Sequence, residues 1–368
     1  MPLSGEVIFQ RVFDLGGTLN MQKVRGILGP MAEAGAVQPT RALPEYVSFA
    51  APIPLNLSGL KMDLRAEDGS PVALSARLYE VGALAVMLRY ALRGEQLSDL
   101  AAYQNAQVSW NGRPARRLDV FSSVFDSLKP MLKPALDEVF EVPVEAENYT
   151  SFCLTETGLH AERLFREQRA QIAALLIGEA HPEKLAPGEI EDIVRNSHSY
   201  YSDDLTVTDW DAAFVVEPNA RYEDILYIFE VANLQLLELR KYDLYLDSTL
   251  DRGYDEFERL HKGPPIFTRR ARAMVRELSE VRMDLAEVTD EVANTAKFFG
   301  DWYIARVYMG LAQKLHISDY HRSVEEKLAT LNDLYQSVLA EIDRRQNILL
   351  ELMIVLLIVF EVLMALKK

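Results

Sequence analysis

The chain has a single cysteine, Cys153, in 368 residues. That excludes an internal disulfide framework and fits a reducing compartment. Its surroundings, NYTSFCLTE, read as a strand, which favours a buried structural thiol over a nucleophile. Basic residues are scarce: 39 Lys and Arg stand against 55 Asp and Glu, for a net charge of −16. Such a chain repels nucleic acid and anionic membrane unless its basic residues are segregated, and direct DNA binding is not expected. The six histidines include no HExxH pair, and His316 and His321, five apart, point about 140° from one another on a helix. No serine occupies a nucleophile elbow, and neither G-x-G-x-x-G nor G-x-x-x-x-G-K-[ST] occurs. The start, MPLSGEVIFQR, has neither a basic n-region nor an apolar run, so no signal peptide is expected. Proline is absent beyond Pro265.

Hydrophobic residues make up 49% of the chain and charged ones 26%, enough apolar mass for a sizeable core. The segments EVIFQRVFDL, EYVSFA, VALSARLYEVGALAVMLRYAL and NYTSFCLTET are rich in β-branched and aromatic residues and predict strands. Helices are predicted over Leu19–Leu28, Leu97–Val108, Arg116–Phe140 (interrupted at Pro130 and Pro134), Leu159–Ile177 and Tyr222–Asp247. YYSDDLTVTDWDAAFVVEP predicts a hairpin. The irregular alternation lacks the cadence of a doubly wound sheet. It favours an α+β body with an antiparallel or mixed sheet, two ferredoxin-like halves being one arrangement. A short echo links VFDLGGTL near the start with LYEVGALA from Leu78.

Gly263, Pro264 and Pro265 break any helix and place a boundary after residue 262. Beyond it, apolar residues recur in threes and fours from Phe267 to Phe299, and again through Val324, Leu328, Leu331, Tyr335, Val338 and Ile342. Arg345 interrupts this stripe, and Leu349, Leu352 and Leu356 resume it. The spacing predicts a coiled-coil stalk over residues 263–347, with packing inside one chain as the alternative for much of the stripe. Asp301 is the expected N-cap of a connecting helix. Residues 348–366 form an apolar helix about 28 Å long, matching the hydrocarbon thickness of a bilayer. Arg344 and Arg345 bracket one end, Lys367 and Lys368 the other. Only two residues follow the segment, so a tail anchor inserted after synthesis is expected. The anchor would sit in the inner or cytoplasmic membrane, with the soluble body in the cytoplasm. Glu351 and Glu361 lie roughly 80° apart on one flank. A carboxylate in hydrocarbon must be protonated, paired in an oligomer, or snorkelled to the interface.

Phe298-Phe299, Leu331-Asn332, Leu350-Glu351 and Glu361-Val362 match, in order, the aromatic pair, the LN-containing helix and the LEW…IEV segment that end the required-for-meiotic-nuclear-division (YagE) family. The last fifth of the chain resembles that family, as a divergent bacterial branch. Leu352 and Gly300 stand where tryptophans are usual. The resemblance implies a membrane-tethered α+β body that oligomerises. Eukaryotic members are mitochondrial inner-membrane proteins connected with organellar translation as anchors or scaffolds. It supplies no catalytic residue, and no cofactor is expected.

Several groups carry possible chemistry. Gly16-Gly17 precedes a helix and could bind an anion, though a plain turn is favoured. Asp203, Asp204, Asp209 and Asp211 gather at the predicted hairpin, where Asp209 and Asp211 share a strand face. A hard cation would want such oxygens, but turn chemistry explains them equally well. Arg269, Arg270, Arg272, Arg276 and Arg282 could meet phosphates, yet interspersed acids favour a salt-bridged face. Asn233, Glu238, Arg240 and Asp243 on one helix would form a buried network or line a pocket. The reading that follows is a non-enzymatic, membrane-anchored scaffold that self-associates and binds a protein or ribonucleoprotein partner. The alternative is a membrane-tethered enzyme or small-ligand or metal sensor using the acidic hairpin or the Asn233–Arg240 helix.

Overall fold

A computed structural model of the chain describes residues 2–32, 52–137, 142–262, 276 and 302–366. The predicted strand EYVSFA, the boundary at Gly263–Pro265, Asp301, the arginine cluster apart from Arg276 and the apolar repeat Phe267–Phe299 lie outside them, as do Phe298-Phe299 and Lys367-Lys368. The fold is α+β. Its main sheet contains β1 (Leu3–Asp14), β2 (Ile53–Leu55), β3 (Ala73–Tyr79), β4 (Ala83–Glu95), β5 (Glu147–Glu156), β6 (Ser197–His198), β7 (Leu205–Thr208) and β8 (Ala212–Val216). Their spatial order is β6-β7-β8-β5-β1-β4-β3-β2. Every pairing is antiparallel except β5 with β8. The strands join in one sheet, in which the long central strand β1 pairs along both edges.

Alternation along the strands creates two unlike faces. Val7, Phe9 and Phe13 of β1, Leu84, Val86 and Leu88 of β4, and Phe152 and Leu154 of β5 point to one side. There they meet α1 (Met21–Leu28), α2 (Arg117–Leu132), α3 (Ala161–Glu167), α4 (Arg169–Ile177) and α5 (Pro187–Ile193) in an apolar core. The predicted helix Leu159–Ile177 is thus two, meeting at Gln168. Pro130 is accommodated inside α2, and the helix ends beside Pro134. On the opposite side, Val12, Ala83 and Ala85 receive Leu234 and Leu237 of α6 (Glu223–Lys262). The alanines leave room for the helix to approach closely. Further along that face, α7 (Trp302–Lys314) lies on β7, where the Tyr303 and Thr206 hydroxyls are 2.9 Å apart.

The echoed glycine segments are in contact. Leu15 N–H donates to Gly82 O at 2.8 Å and Leu19 N–H to Glu80 O at 2.7 Å. Gly82 has φ +86°, and a Cβ on it would fall 1.6 Å from Gly17 O. Only glycine fits this turn. The Gly16-Gly17 segment is therefore packing, and Asn20 caps α1, its Oδ1 accepting from Lys23 N–H at 3.1 Å.

The chain divides into two compact units, Met1–Glu238 with Asn294–Ser318, and Leu239–Ala293 with Asp319–Lys368. The division falls inside α6, ahead of the residue-262 boundary that the prolines suggested. The second unit contains the rest of α6 and most of α8 (Ile317–Leu366). Val324, Leu331, Val338 and Ile342, members of the expected coiled-coil stripe, are buried within the single chain.

Candidate functional site

The α6 face of the sheet carries charge where the other carries hydrocarbon. Glu230 follows Phe229 in an apolar run of α6 and points inward with Leu226, Asn233 and Leu237, the helical spacing of its buried side. Arg77 of β3 and Tyr79, two residues on, share a strand face and meet it. Arg77 Nη1 donates to Glu230 Oε2 at 2.7 Å, and the Tyr79 hydroxyl donates to Oε1. Glu230 is 0% exposed while the Arg77 side chain keeps 15%. Burial pushes the Glu230 carboxyl up, against the opposing pull of Arg77 and Tyr79. The arginine is also pushed up: burial, the largest single effect, opposes its charge, but Glu230, Tyr79 and Glu223 together outweigh it. The full enclosure of the acid and the open side of the base account for the asymmetry, and the bidentate acceptor geometry is that of a carboxylate. Tyr227 nearby is pushed up to about 12 by burial and by Glu230.

Two turns earlier, Arg89 of β4 forks onto Glu223 at 2.6 and 2.8 Å and reaches Glu6 of β1 at 3.3 Å. The Tyr222 hydroxyl donates to Glu6 at 3.1 Å. Arginines on two neighbouring strands thus hold two glutamates of one helix. This fixes the helix over the sheet and its rotation about its axis. Cys153 on the same face is fully buried, and burial pushes its thiol up, so it is not a nucleophile. Sequence reading missed this cluster. The available signal was a glutamate on the apolar stripe of a helix, together with arginines at inward positions of strands.

Asp209 and Asp211 do not share a strand face. They flank Trp210 in the tight turn between β7 and β8, where Asp209 N–H donates to Ala212 O at 2.9 Å. Asp209 takes an ion pair from Lys314 of α7 at 2.7 Å. Asp204 accepts from the amides of Tyr200 and Tyr201 at 2.7 and 3.0 Å. These acids are committed to turns and to holding α7. Among the described residues, no group of three His, Cys, Asp or Glu converges to hold a metal.

The four α6 positions fall in both compact units. Asn233 Nδ2 donates to Phe229 O of its own helix at 2.8 Å, and Glu238 is buried in the first unit. Arg240 and Asp243 belong to the second unit. There Asp243 accepts from Ser323 Oγ and pairs with Lys327 Nζ, each at 2.7 Å, and Lys327 also reaches Asp247 at 2.7 Å. Arg345, which interrupts the apolar stripe, is buried against Glu341 at 2.8 Å. Hydrogen bonds from Arg344, then burial opposing, then Arg345, leave the Glu341 carboxyl at about 2.

Beyond Arg345 the helix changes character. Ile317–Leu366 is the one described helix long and apolar enough to cross a membrane, and its apolar window is wholly exposed. Leu352 and Leu356 are more than half exposed, Glu351 and Glu361 are exposed, and Leu349 is half-buried.

Two open clefts flank the sheet. One, of about 740 Å³, is lined by Leu55, Lys61, Leu74, Ser75 and Arg77. The other, of about 820 Å³, lies beside Arg11, Phe13, Phe125 and Lys129. In the second, Phe13 and Phe125 stack at 4.6 Å, with Arg11 5.2 Å from one ring and Lys129 5.3 Å from the other. Its cations are therefore spread along the stack and do not converge on one point.

Comparison with known proteins places the sheet body. A curated relative, the uncharacterized protein MJ0711 of Methanocaldococcus jannaschii, is 25% identical over 222 residues, covering 60% of this chain and 66% of the relative. The chain thus spans just under two thirds of that protein. No solved structure matches. Residues 4–223 match the family described as "Uncharacterized protein MJ0711, N-terminal domain", ending where α6 begins. The chain belongs to the MJ0711 N-terminal-domain family.

Proposed function

We propose that the protein is a non-enzymatic, membrane-anchored scaffold. Its α8 end spans the inner or cytoplasmic membrane, and its α+β body faces the cytoplasm and binds a protein or ribonucleoprotein partner. One observation carries this reading: the helix is buried on one side through Arg345, then exposes apolar side chains on every face through Leu366. Water does not tolerate a surface of that kind, and a bilayer does. Fourteen Leu, Ile, Val and Phe residues lie between Ile348 and Leu366. At roughly 0.3–0.6 kcal/mol each they favour insertion by about 4–8 kcal/mol. Two glutamates oppose it by about 2.5–3.5 kcal/mol each at mid-depth and by less toward the ends. The margin is narrow for a lone helix. Pairing Glu361 within a homo-oligomer widens it, and we propose self-association through the Leu349, Leu352 and Leu356 side of the segment. The resemblance of the last fifth of the chain to the required-for-meiotic-nuclear-division family supports the same reading.

Full-length protein should resist extraction by alkaline carbonate, and a chain ending at Asn347 should appear in the soluble fraction. Extraction of the full-length protein rejects the anchor. Mass measurement in detergent should give more than one chain. Glu361→Leu should insert but lower the oligomer size, with Glu361→Gln intermediate. A monomer throughout rejects self-association.

A further inference from the structure

The helix α7 is seated on the edge of the sheet at one backbone position. A Cβ on Gly310 would stand 2.8 Å from His198 Nε2 and 3.5 Å from Asn196 Cβ, so the imidazole of β6 abuts the helix backbone. Asn196 Nδ2 donates to Gly310 O at 2.8 Å. His198 Nε2 itself is buried with no hydrogen-bond partner. One turn earlier on α7, Arg306 Nη2 donates to Ser199 O at 3.5 Å, and its Nε is also buried without a partner.

A proton on His198 Nε2 meets no acceptor in these surroundings. Arg306 is the charged group acting on the ring. Lys314, the other cation of α7, is taken by Asp209 and by the Asp192 carbonyl. The Asp192 carboxylate pairs with Arg195. Asp204 accepts the amides of Tyr200 and Tyr201, and the Tyr303 hydroxyl is held by Thr206.

We propose that His198 is an acid-sensitive latch: the neutral imidazole lets α7 seat on β6, and the imidazolium, facing Arg306 with no acceptor, drives α7 off the sheet edge. Burial and the Arg306 charge hold the ring below its ordinary value of 6.5. Docking is therefore fully favoured above 6.5 and weakens as pH falls through 6.5 toward the docked-state value. Only Leu315 and His316 separate α7 from α8. Release would therefore free the segment leading to the apolar helix. That consequence rests on the membrane reading, whereas the latch does not.

The test is amide exchange of residues 303–314 in full-length, detergent-solubilised protein near pH 7.5 and pH 5.5, corrected for intrinsic rates. Wild type should lose several-fold protection at the lower pH, up to about tenfold, the limit for a histidine that titrates at 6.5 once released. His198→Gln, which cannot be charged, should remove the pH dependence. Arg306→Met should reduce it. The His198 ring should titrate below 6.5 by NMR in wild type. Equal pH dependence in wild type and His198→Gln overturns the latch. If that variant does not fold, a ring titrating at or above 6.5, or pH dependence unchanged in Arg306→Met, overturns it instead. Carbonate extraction should be identical for all three proteins, which separates failure of the latch from failure of the anchor.

Discussion

The two faces of the sheet solve the same problem with different chemistry. Against α1–α5 the contacts are apolar: Phe9, Leu88, Phe152 and Phe214 meet Val124, Leu128, Ile172 and Leu176. Against α6 and α7 the sheet offers Arg77, Tyr79, Arg89 and Thr206, and each finds a partner across the layer. Apolar packing is tolerant of register and direction, because any well-shaped hydrocarbon contact will do. Buried hydrogen bonds are not tolerant, since a helix shifted by one residue strands every donor and acceptor. The difference teaches that the first face supplies the stability, while the second specifies where the long helix lies.

The largest effect is expected on the apolar face. Phe152→Ala, at a side chain 0% exposed, should lower unfolding free energy by about 3–5 kcal/mol, read from the midpoint of chemical denaturation. On the polar face, Glu230→Ala should cost about 3 kcal/mol, because it leaves Arg77 and the Tyr79 hydroxyl buried without their acceptor. Replacing the whole cluster by Arg77→Met, Tyr79→Phe and Glu230→Leu should bring stability back to within about 1 kcal/mol of wild type. If the triple variant is as unstable as Glu230→Ala, the cluster stabilises as well as specifies, and the contrast between the faces collapses. Tyr149→Phe removes a hydroxyl that donates to Asp209 O at 3.2 Å and Ala212 O at 3.1 Å, and should cost about 1 kcal/mol.

Along α8 the same contrast runs lengthwise, from a stripe buried within the chain to a surface exposed all round. The Glu341 clamp closes the buried part. Its carboxyl is held at about 2, below the ordinary 4.5. The stabilisation is therefore present above 4.5 and disappears as pH falls from 4.5 toward 2. Arg344 is largely solvated, so Glu341→Gln should lower stability by only ~0.5 kcal/mol near pH 6. The difference from wild type should vanish below about pH 2 in thermal melts.

Much of the architecture was legible because it is periodic. The alternation in EVIFQRVFDL and VMLRYAL gave β1 and β4, and the 3.6-residue spacing around Leu226, Leu234 and Leu237 gave α6. Expectations failed where a single contact outweighed the pattern. Gln168 breaks one predicted helix into two, and Asp209 and Asp211 sit in a turn instead of on a strand. The stripe at Val324–Ile342 is no such failure: its buried members pack within one chain, the alternative that the spacing left open.

What the sequence determined by itself is local and compositional: an α+β chain with one inert thiol, and an apolar helix from Ile348 to Leu366 with no polar face. Hydrophobic period and helix length depend only on neighbours along the chain. Which strands pair, that Glu230 of α6 would meet Arg77 from 153 positions away, and that His198 would press on Gly310 of α7 were decided by tertiary structure. A buried charge or an unpartnered ring nitrogen acquires its energy from whatever encloses it. The chain assembles that enclosure only when distant segments fold together.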